Sequence, residues 1–198
     1  MTQLDINLAV IVGSVRGGRL GPTVAKWVAG EARRFGQFEV HVIDLAEFDL
    51  PLAMPSAGES PPPDVIEQLA PLSAKLASAD AFVVVTPEYN HSFPASLKNA
   101  IDWHDKQWYG KPIGLVSYGG ISGGLRAIEH LRTVFAELHA VTIRDTVSFH
   151  YAGRQWDSER NWPKDTEACT AAGKTMLNHL SWWALSLREA KAKRPFPA

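Results

Sequence analysis

The chain has 198 residues, 45% hydrophobic and 21% charged, which is enough apolar material for one large domain with its own core. A net charge of -1 and a sequence pI of about 6.7 argue against binding to nucleic acid or to an anionic membrane. Cys169 is the only cysteine, and the apolar run in residues 1–12 is too short for a signal peptide or a membrane span, so we expect a cytoplasmic protein.

Short apolar runs alternate with helical patterns along the chain. Strands are expected at residues 8–13, 38–45, 81–85, 112–117 and 141–149. Helices are expected from Pro22, over residues 63–76, from Pro94, around the repeat Leu125, Ile128, Leu131, Phe135 and Leu138, and over residues 166–190. Buried strands separated by helices are typical of an α/β protein with a parallel sheet, helices on both faces and right-handed crossovers.

The sequence contains no internal repeat and no convincing domain boundary. We therefore predict a single domain over residues 1–190, followed by a flexible C-terminal tail over residues 191–198. The proline-rich stretch from Pro51 to Pro63 lies inside the second connection and is predicted to be a long loop. It either covers a site or a partner, or is a mobile surface loop.

The loop after the first strand reads GSVRGGRLG over residues 13–21 and leads into a helix. In a parallel sheet the ligand lies beyond the carboxyl ends of the strands, where the strand order reverses. Here glycines allow close backbone approach, Ser14 offers a hydroxyl, and Arg16 and Arg19 offer forked cations, which together suit a terminal phosphate. The GxGxxG fingerprint is absent, and Arg19 and Leu20 replace the Lys and Ser/Thr of a P-loop.

Two further loops follow the third and fourth strands. The first reads TPEYNHSFP over residues 86–94, and its prolines, aromatic ring and hydrogen-bonding groups suit a flat heteroaromatic ligand. Glu88 is either a catalytic acid or a solvent-exposed or backbone-capping carboxylate, and His91 is either a base or a surface side chain. The second reads SYGGISGG over residues 117–124, where Tyr118 is a candidate to stack on or edge a ring.

One alternative reading concerns Ser122, which lies in a GxSxG pattern at residues 120–124. Asp145 and then His150 or His179 follow in the order that a serine hydrolase triad of this kind requires. The match is short, and a glycine-rich ligand loop explains the same residues more simply.

The three loops resemble the NAD(P)H-dependent FMN reductase family. The shared motifs are GSxR at residues 13–16, PEYNxSxP at 87–94 continuing into LKNAIDW at 97–103, and GGxxGGxR at 119–126. The likeness extends from about residue 8 to residue 138, and the middle motif is the most specific. Ala95 stands where relatives often carry glycine, a change that leaves the helix start intact.

This resemblance implies a three-layer flavodoxin-like fold, with a five-stranded parallel sheet of order 2-1-3-4-5 and non-covalently bound FMN. It places the FMN phosphate at the first loop and the isoalloxazine ring between the two later loops. The implied phosphate-side residues are Ser14, Arg16, Arg19, Gly21, Pro22, Thr23 and Val24. The implied ring-side residues are Pro87, Glu88, Tyr89, Asn90, Ser117, Tyr118, Gly119 and Gly120.

The resemblance also implies an oxidoreductase that uses NADPH or NADH. Hydride would pass through flavin N5 to a small-molecule acceptor (a quinone, flavin, azo compound or metal oxyanion) in a ping-pong scheme that needs no catalytic side chain and no metal. A homodimer or homotetramer is implied, with Trp103, Trp108 and Tyr109 either at an interface or in the core. The non-enzyme alternative, a flavin-binding electron carrier or redox sensor, fits the weak net charge less well.

Overall fold

The computed structural model describes residues 6–197 and contains one parallel sheet with helices on both faces. The strands are β1 (Ile6–Val12), β2 (Phe38–Asp44), β3 (Ala81–Pro87), β4 (Pro112–Tyr118) and β5 (Val141–Phe149). They are arranged in the order β2-β1-β3-β4-β5, and every neighbouring pair is parallel. This confirms the predicted α/β class, the number of strands and their order.

Five helices pack against the sheet. They are α1 (Gly21–Phe35), α2 (Pro63–Ser78), α3 (Ala95–Asp102), α4 (Leu125–Glu137) and α5 (Thr166–Lys193), with short 3-10 turns at Leu45–Glu47 and Ala152–Arg154. Helices α1 and α5 share one hydrophobic cluster, and α2, α3 and α4 share the other. The sheet therefore separates two cores, as its continuous apolar strands require.

Strand β3 at the centre of the sheet shows why both cores form. Val83 and Val85 point into the α1/α5 core, while Phe82 and Val84 point into the other, because successive side chains of a strand alternate between faces. All four are fully buried. Each contributes about 1.5–3 kcal/mol on burial of its apolar side chain, so the centre of the sheet is rigid enough to position the loops that follow it.

Several predicted boundaries shift. Strands β3 and β4 continue to Pro87 and Tyr118, so part of each predicted loop is strand. Leu125 was expected on the buried face of α4 but is 43% exposed, because it lies in the first turn, before the helix reaches the sheet.

The C-terminal boundary also shifts, since α5 extends to Lys193, past the predicted domain end at residue 190. Beyond it, the ring of Phe196 lies 5.9 Å from that of Tyr109. The flexibility of residues 191–198 stays a prediction, and residues 1–5 of the predicted domain and residue 198 of the tail lie outside the described residues.

The three aromatic residues considered for an interface have different environments. Trp108 is 1% exposed and packs against Phe82 and Phe135 at centroid distances of 4.8 and 5.4 Å, so it belongs to the core. Trp103 donates its indole N–H to the carbonyl oxygen of Pro51 at 2.6 Å. This bond fastens the start of the proline-rich loop to the end of α3.

No helix within residues 6–197 combines the length and the apolar content needed to cross a membrane. The same part of the chain has no cluster of three or more histidine, cysteine or acidic side chains placed to hold a metal ion. The cytoplasmic location stays a prediction.

Candidate functional site

The loops after β1, β3 and β4 meet at the carboxyl edge of the sheet, as the strand order requires. The N–H of Gly13 donates to the carbonyl oxygen of Val85 at 2.9 Å, and the Ser96 hydroxyl donates to the Gly13 carbonyl at 2.7 Å. The Ser14 hydroxyl lies 3.0 Å from that of Tyr118, the last residue of β4. The candidate residues of all three loops are therefore brought to one site.

The first loop presents unused backbone donors. Within the described residues, the main-chain N–H groups of residues 15–20 donate to no acceptor. Around Gly17 and Gly18 nothing lies within 4 Å of the positions where Cβ atoms would stand, and Gly18 has a φ of +65°, which favours glycine. Successive free N–H groups in an open glycine turn form a cradle for an anion.

The start of α1 offers fewer free main-chain donors for a phosphate than the sequence predicted. The N–H groups of Thr23 and Val24 already donate to the Leu20 carbonyl at 3.0 and 3.1 Å, and Pro22 has no N–H. The side chain of Val24 is fully buried in the core, so Val24 has no group free for a ligand. The available donors therefore lie in the loop, with only the Thr23 side chain left at the helix start.

Two arginines flank this loop. Arg16 is exposed and has no partner within residues 6–197. Arg19 forms an ion pair through Nη2 with Asp44, the last residue of β2, and its Nε is buried without a hydrogen-bond acceptor. A buried guanidinium N–H without an acceptor is costly, and a phosphate oxygen at the loop would satisfy it. The residues present therefore fit the phosphate of FMN.

Ser14 and Tyr118 lie beneath the loop. Ser14 is fully buried and Tyr118 is 7% exposed. Burial raises the pKa of Tyr118 to about 12, although the hydrogen bond with Ser14 acts in the opposite direction. A Cβ on Gly21 would stand 2.8 Å from the Ser14 hydroxyl and 2.9 Å from that of Tyr118, so only glycine fits there. Tyr118 thus supports the loop and has no open face for a ring.

The second loop forms a tight turn at the end of β3. Tyr89 and Ser92 exchange two main-chain hydrogen bonds of 2.8 and 3.1 Å. Asn90 and His91 between them have φ values of 48° and 75°, in the left-handed region that asparagine tolerates best among non-glycine residues. Pro87 is buried at the strand end. The turn therefore presents Tyr89 and Asn90 at the edge of the site.

Glu88 has a supporting role in the structure. Its side chain is 7% exposed and forms an ion pair of 2.7 Å with Arg126. Its carboxylate also accepts from the Ser122 hydroxyl at 2.8 Å and from the main-chain N–H of Arg126 at 3.3 Å. Because a carboxylate at a helix N-terminus is stabilised by free N–H groups, Glu88 fastens the second loop to the start of α4. Of the two interpretations of Glu88, this favours a backbone-capping carboxylate.

The third loop exposes Gly120 and Ile121, while Gly123 and Gly124 are buried. Ser117 is fully buried, and its hydroxyl donates to the Gly123 carbonyl at 2.7 Å. The carbonyl oxygens of Gly119 and Gly120 accept the N–H groups of Ala152 and Tyr151 at 3.0 and 2.9 Å. A Cβ on Gly120 would have nothing within 4 Å, so a flat ligand has room there.

The proposed serine hydrolase triad does not assemble. Ser122 donates to Glu88 rather than to a histidine. His150 Nδ1 lies 2.8 Å from the Ile121 carbonyl oxygen, and Asp145 pairs with His179 at 2.6 Å. The Asp–His pair therefore forms without the serine, and the GxSxG pattern is part of the glycine loop.

Two residues of the site were missed by the sequence reasoning. Asp44 ends β2 at the same sheet edge, so the rule that placed the other loops could have identified it as a partner for Arg19. Ser96 lies in the first turn of α3, and no sequence pattern connects it to Gly13, 83 residues earlier.

A parallel sheet of this order, with glycine-containing loops after β1 and β4 and a tight turn after β3 that meet at its carboxyl edge, defines a flavodoxin-like α/β protein. Residues 6–154 match the family described as NADPH-dependent FMN reductase, and the chain belongs to that family.

Individual relatives agree with this assignment. The chain is 43% identical over 130 residues to an NAD(P)H-dependent FMN reductase of Schizosaccharomyces pombe, and the match covers 63% of each chain. It is 33% identical over 144 residues to a quinone reductase of Escherichia coli, covering 70% of this chain and 73% of that one. Its fold is similar to a flavoenzyme NAD(P)H:(acceptor) oxidoreductase from Paracoccus denitrificans, with a TM-score of 0.68, 23% identity and coverage of 93% and 98%.

Proposed function

We propose that this protein is an FMN-dependent oxidoreductase that takes hydride from NADPH or NADH and passes it to a small acceptor such as a quinone, flavin, azo compound or metal oxyanion. The observation that carries the proposal is the set of unused donors at residues 15–20, together with the buried, unpartnered Nε of Arg19. Such donors fit a terminal phosphate at the switch point of the sheet.

The proposed roles of the residues follow from their positions. Arg16 and Arg19 bind the phosphate with the loop N–H groups, and Asp44 holds Arg19 in place. Gly21 gives Ser14 and Tyr118 the space to support the loop. Ring contacts come from the accessible residues of the two later loops, which are Tyr89, Asn90, Gly119 and Gly120. Pro87 is buried at the end of β3 and shapes the start of the second loop.

The bound FMN would supply the hydride-accepting chemistry, and the protein's task is to hold it with one face accessible. The open space at Gly120 suits a flat nicotinamide first and an acceptor afterwards at the same surface. Sequential use of one surface is a ping-pong scheme. No side chain is required to move a proton, because Glu88 is already bound by Ser122 and Arg126.

Steady-state kinetics test this proposal. The FMN-loaded protein should oxidise NADPH, NADH or both in the presence of a quinone, and reciprocal plots at several quinone concentrations should be parallel. Intersecting lines would contradict the ping-pong scheme. A protein that binds FMN but consumes neither nicotinamide would be an electron carrier or sensor instead.

We also propose that the protein acts as a homodimer or homotetramer. The basis is the family resemblance, with Tyr109 and Trp103 as the remaining interface candidates now that Trp108 lies in the core. Light scattering of the FMN-loaded protein at micromolar concentration tests this, and a monomer mass would contradict it.

A further inference from the structure

A second cavity lies beside the proposed FMN phosphate loop. It has a volume of about 690 Å³ and is formed between α1 and the segment that leads from β5 to α5. Its walls include Lys26 and Trp27 on one side and Trp156 and Arg160 on the other. Its size is within the range of small-molecule sites, about 300–1,000 Å³.

The walls of this cavity are connected through the backbone to both sides of the proposed FMN site. Thr23, at the start of α1, lines the cavity and follows the phosphate loop directly. The segment that forms the opposite wall is hydrogen-bonded to the loop after β4. The main-chain N–H groups of Tyr151 and Ala152 donate to the carbonyl oxygens of Gly120 and Gly119 at 2.9 and 3.0 Å. Trp162 continues this wall and donates its indole N–H to the Ala152 carbonyl at 3.1 Å. A ligand could therefore extend from one site into the other.

The unpaired charges around the cavity are positive. Neither Lys26 nor Arg160 has an ionic partner within residues 6–197. The carboxylate of Glu31 is paired with Arg34 and accepts from the Thr170 hydroxyl at 3.1 Å.

The second acid of the cavity, Asp157, is occupied by its own turn. It accepts the main-chain N–H groups of Glu159 and Asn161 at 2.9 and 2.7 Å. Hydrogen bonds, chiefly from the side chain of Asn161, keep the pKa of Asp157 below its ordinary value. The two carboxylates are thus satisfied by neighbours while two cations remain free, which favours an anionic ligand.

Aromatic groups add a second recognition element. Trp156 is 43% exposed at the cavity, which gives a flat ligand a large surface to stack on. Trp27 is 9% exposed, and its indole Nε1 is buried without a hydrogen-bond acceptor. A planar ligand can therefore stack on Trp156 within this cavity.

We propose that this cavity binds the adenosine half of NADPH, with the 2′-phosphate held by Lys26 and Arg160 and the adenine ring packed on Trp156. This inference rests on the proposed function, and it adds a preference for NADPH over NADH. The preference arises because NADH lacks the 2′-phosphate and would leave both cations without an anionic partner.

Direct binding tests the site independently of turnover. Calorimetry on the FMN-loaded protein should show that adenosine 2′,5′-bisphosphate binds at least about tenfold more tightly than adenosine 5′-monophosphate, which is the effect of one charge-assisted contact. Inorganic phosphate alone should bind much more weakly than the bisphosphate. Equal affinity for the two nucleotides, or no binding of the bisphosphate, would overturn the proposal.

Substitutions then test whether Lys26 and Arg160 bind the 2′-phosphate. Lys26→Gln and Arg160→Gln should each raise the KM for NADPH about tenfold, leave kcat unchanged and alter the KM for NADH less than twofold. Lys75→Gln removes an exposed cation from α2, on the opposite face of the sheet, and should change neither value. If both nicotinamides are oxidised and the cavity variants behave like Lys75→Gln, this inference fails while the proposed function stands. If neither is oxidised, the proposed function fails, and the calorimetric result still decides whether the cavity binds the nucleotide.

Discussion

The hydroxyl groups of Ser14 and Tyr118 lie 3.0 Å apart and join the end of β1 to the end of β4 across the intervening strand β3. Both residues are buried, so this contact is the floor of the phosphate loop. The two hydroxyls come from positions 104 residues apart in the chain. The contact therefore forms only when the carboxyl ends of β1 and β4 lie in this arrangement.

Tyr118→Phe should lower the free energy of unfolding by about 1 kcal/mol, because the buried Ser14 hydroxyl loses its partner. The affinity for FMN should also fall several-fold, since the loop loses its support. Urea unfolding and fluorescence titration with FMN measure the two effects. The control is Tyr151→Phe, which removes a hydroxyl from a residue that is 47% exposed. Equal behaviour of the two variants would contradict the role of Tyr118.

Arg19→Gln should weaken FMN binding about tenfold, because it removes a charge-assisted contact to the phosphate. Asp44→Asn should have a smaller effect that disappears in the Arg19→Gln background, since Asp44 acts through Arg19. Equilibrium titration of the four forms gives the coupling. Additive effects of the two substitutions would show that Asp44 does not position Arg19. Arg33→Gln, on the exposed side of α1, is the matched control.

Glu88→Gln should lower the free energy of unfolding by about 1–3 kcal/mol, because Ser122 and the start of α4 lose a charged acceptor. Turnover per bound FMN should stay within a factor of about two, because Glu88 has no step in the proposed chemistry. Thermal unfolding and kcat measure the two quantities, with Glu129→Gln on the exposed face of α4 as control. A large loss of kcat without a loss of stability would restore Glu88 as a catalytic acid.

The fold was predictable because its signals are local. The apolar runs of β1, β3 and β4 and the repeat in α4 are set by periodicity, and the order of the strands then places three loops at one edge. Side-chain direction within the site was not predictable. Tyr118 points beneath the loop because β4 extends to that residue, and strand alternation then decides which face it occupies.

Helical periodicity at Val24 and long-range pairs at Glu88 and Arg19 account for the other differences. Val24 was grouped with the phosphate residues by its position after the loop, yet helical periodicity turns it into the core. The partners of Glu88 and Arg19 are separated from them by 34–38 and 25 residues, and no local pattern links them.

Lys111 makes the free energy of unfolding depend on pH above about pH 8. It is 8% exposed and its Nζ donates to the carbonyl oxygens of Leu76 and Ala77, at the end of α2, at 2.9 and 3.0 Å. Burial lowers the pKa of this amine from 10.5 to about 8, with the nearby charge of Lys191 acting in the same direction. Below pH 8 the cost of burying the charged amine is therefore fully present.

As the pH rises from 8 to 10.5, the folded state releases this proton before the unfolded state does, so the wild-type protein gains stability. Relative to Lys111→Met, which cannot titrate, the gain should approach about 3 kcal/mol at most. Denaturant unfolding of both proteins at pH 7 and at about pH 10 measures it. An unchanged difference between the two proteins would show that Lys111 keeps an ordinary pKa.

We propose that residues 13–23 and the loops after β3 and β4 bind FMN. The most direct measurement is titration of the purified, flavin-free protein with FMN and with riboflavin, followed by quantification of the chromophore released on denaturation. We predict a yellow complex with one FMN per chain and at least about a hundredfold weaker binding of riboflavin, which lacks the phosphate. Equal affinity for the two flavins, or no bound flavin, would contradict the account.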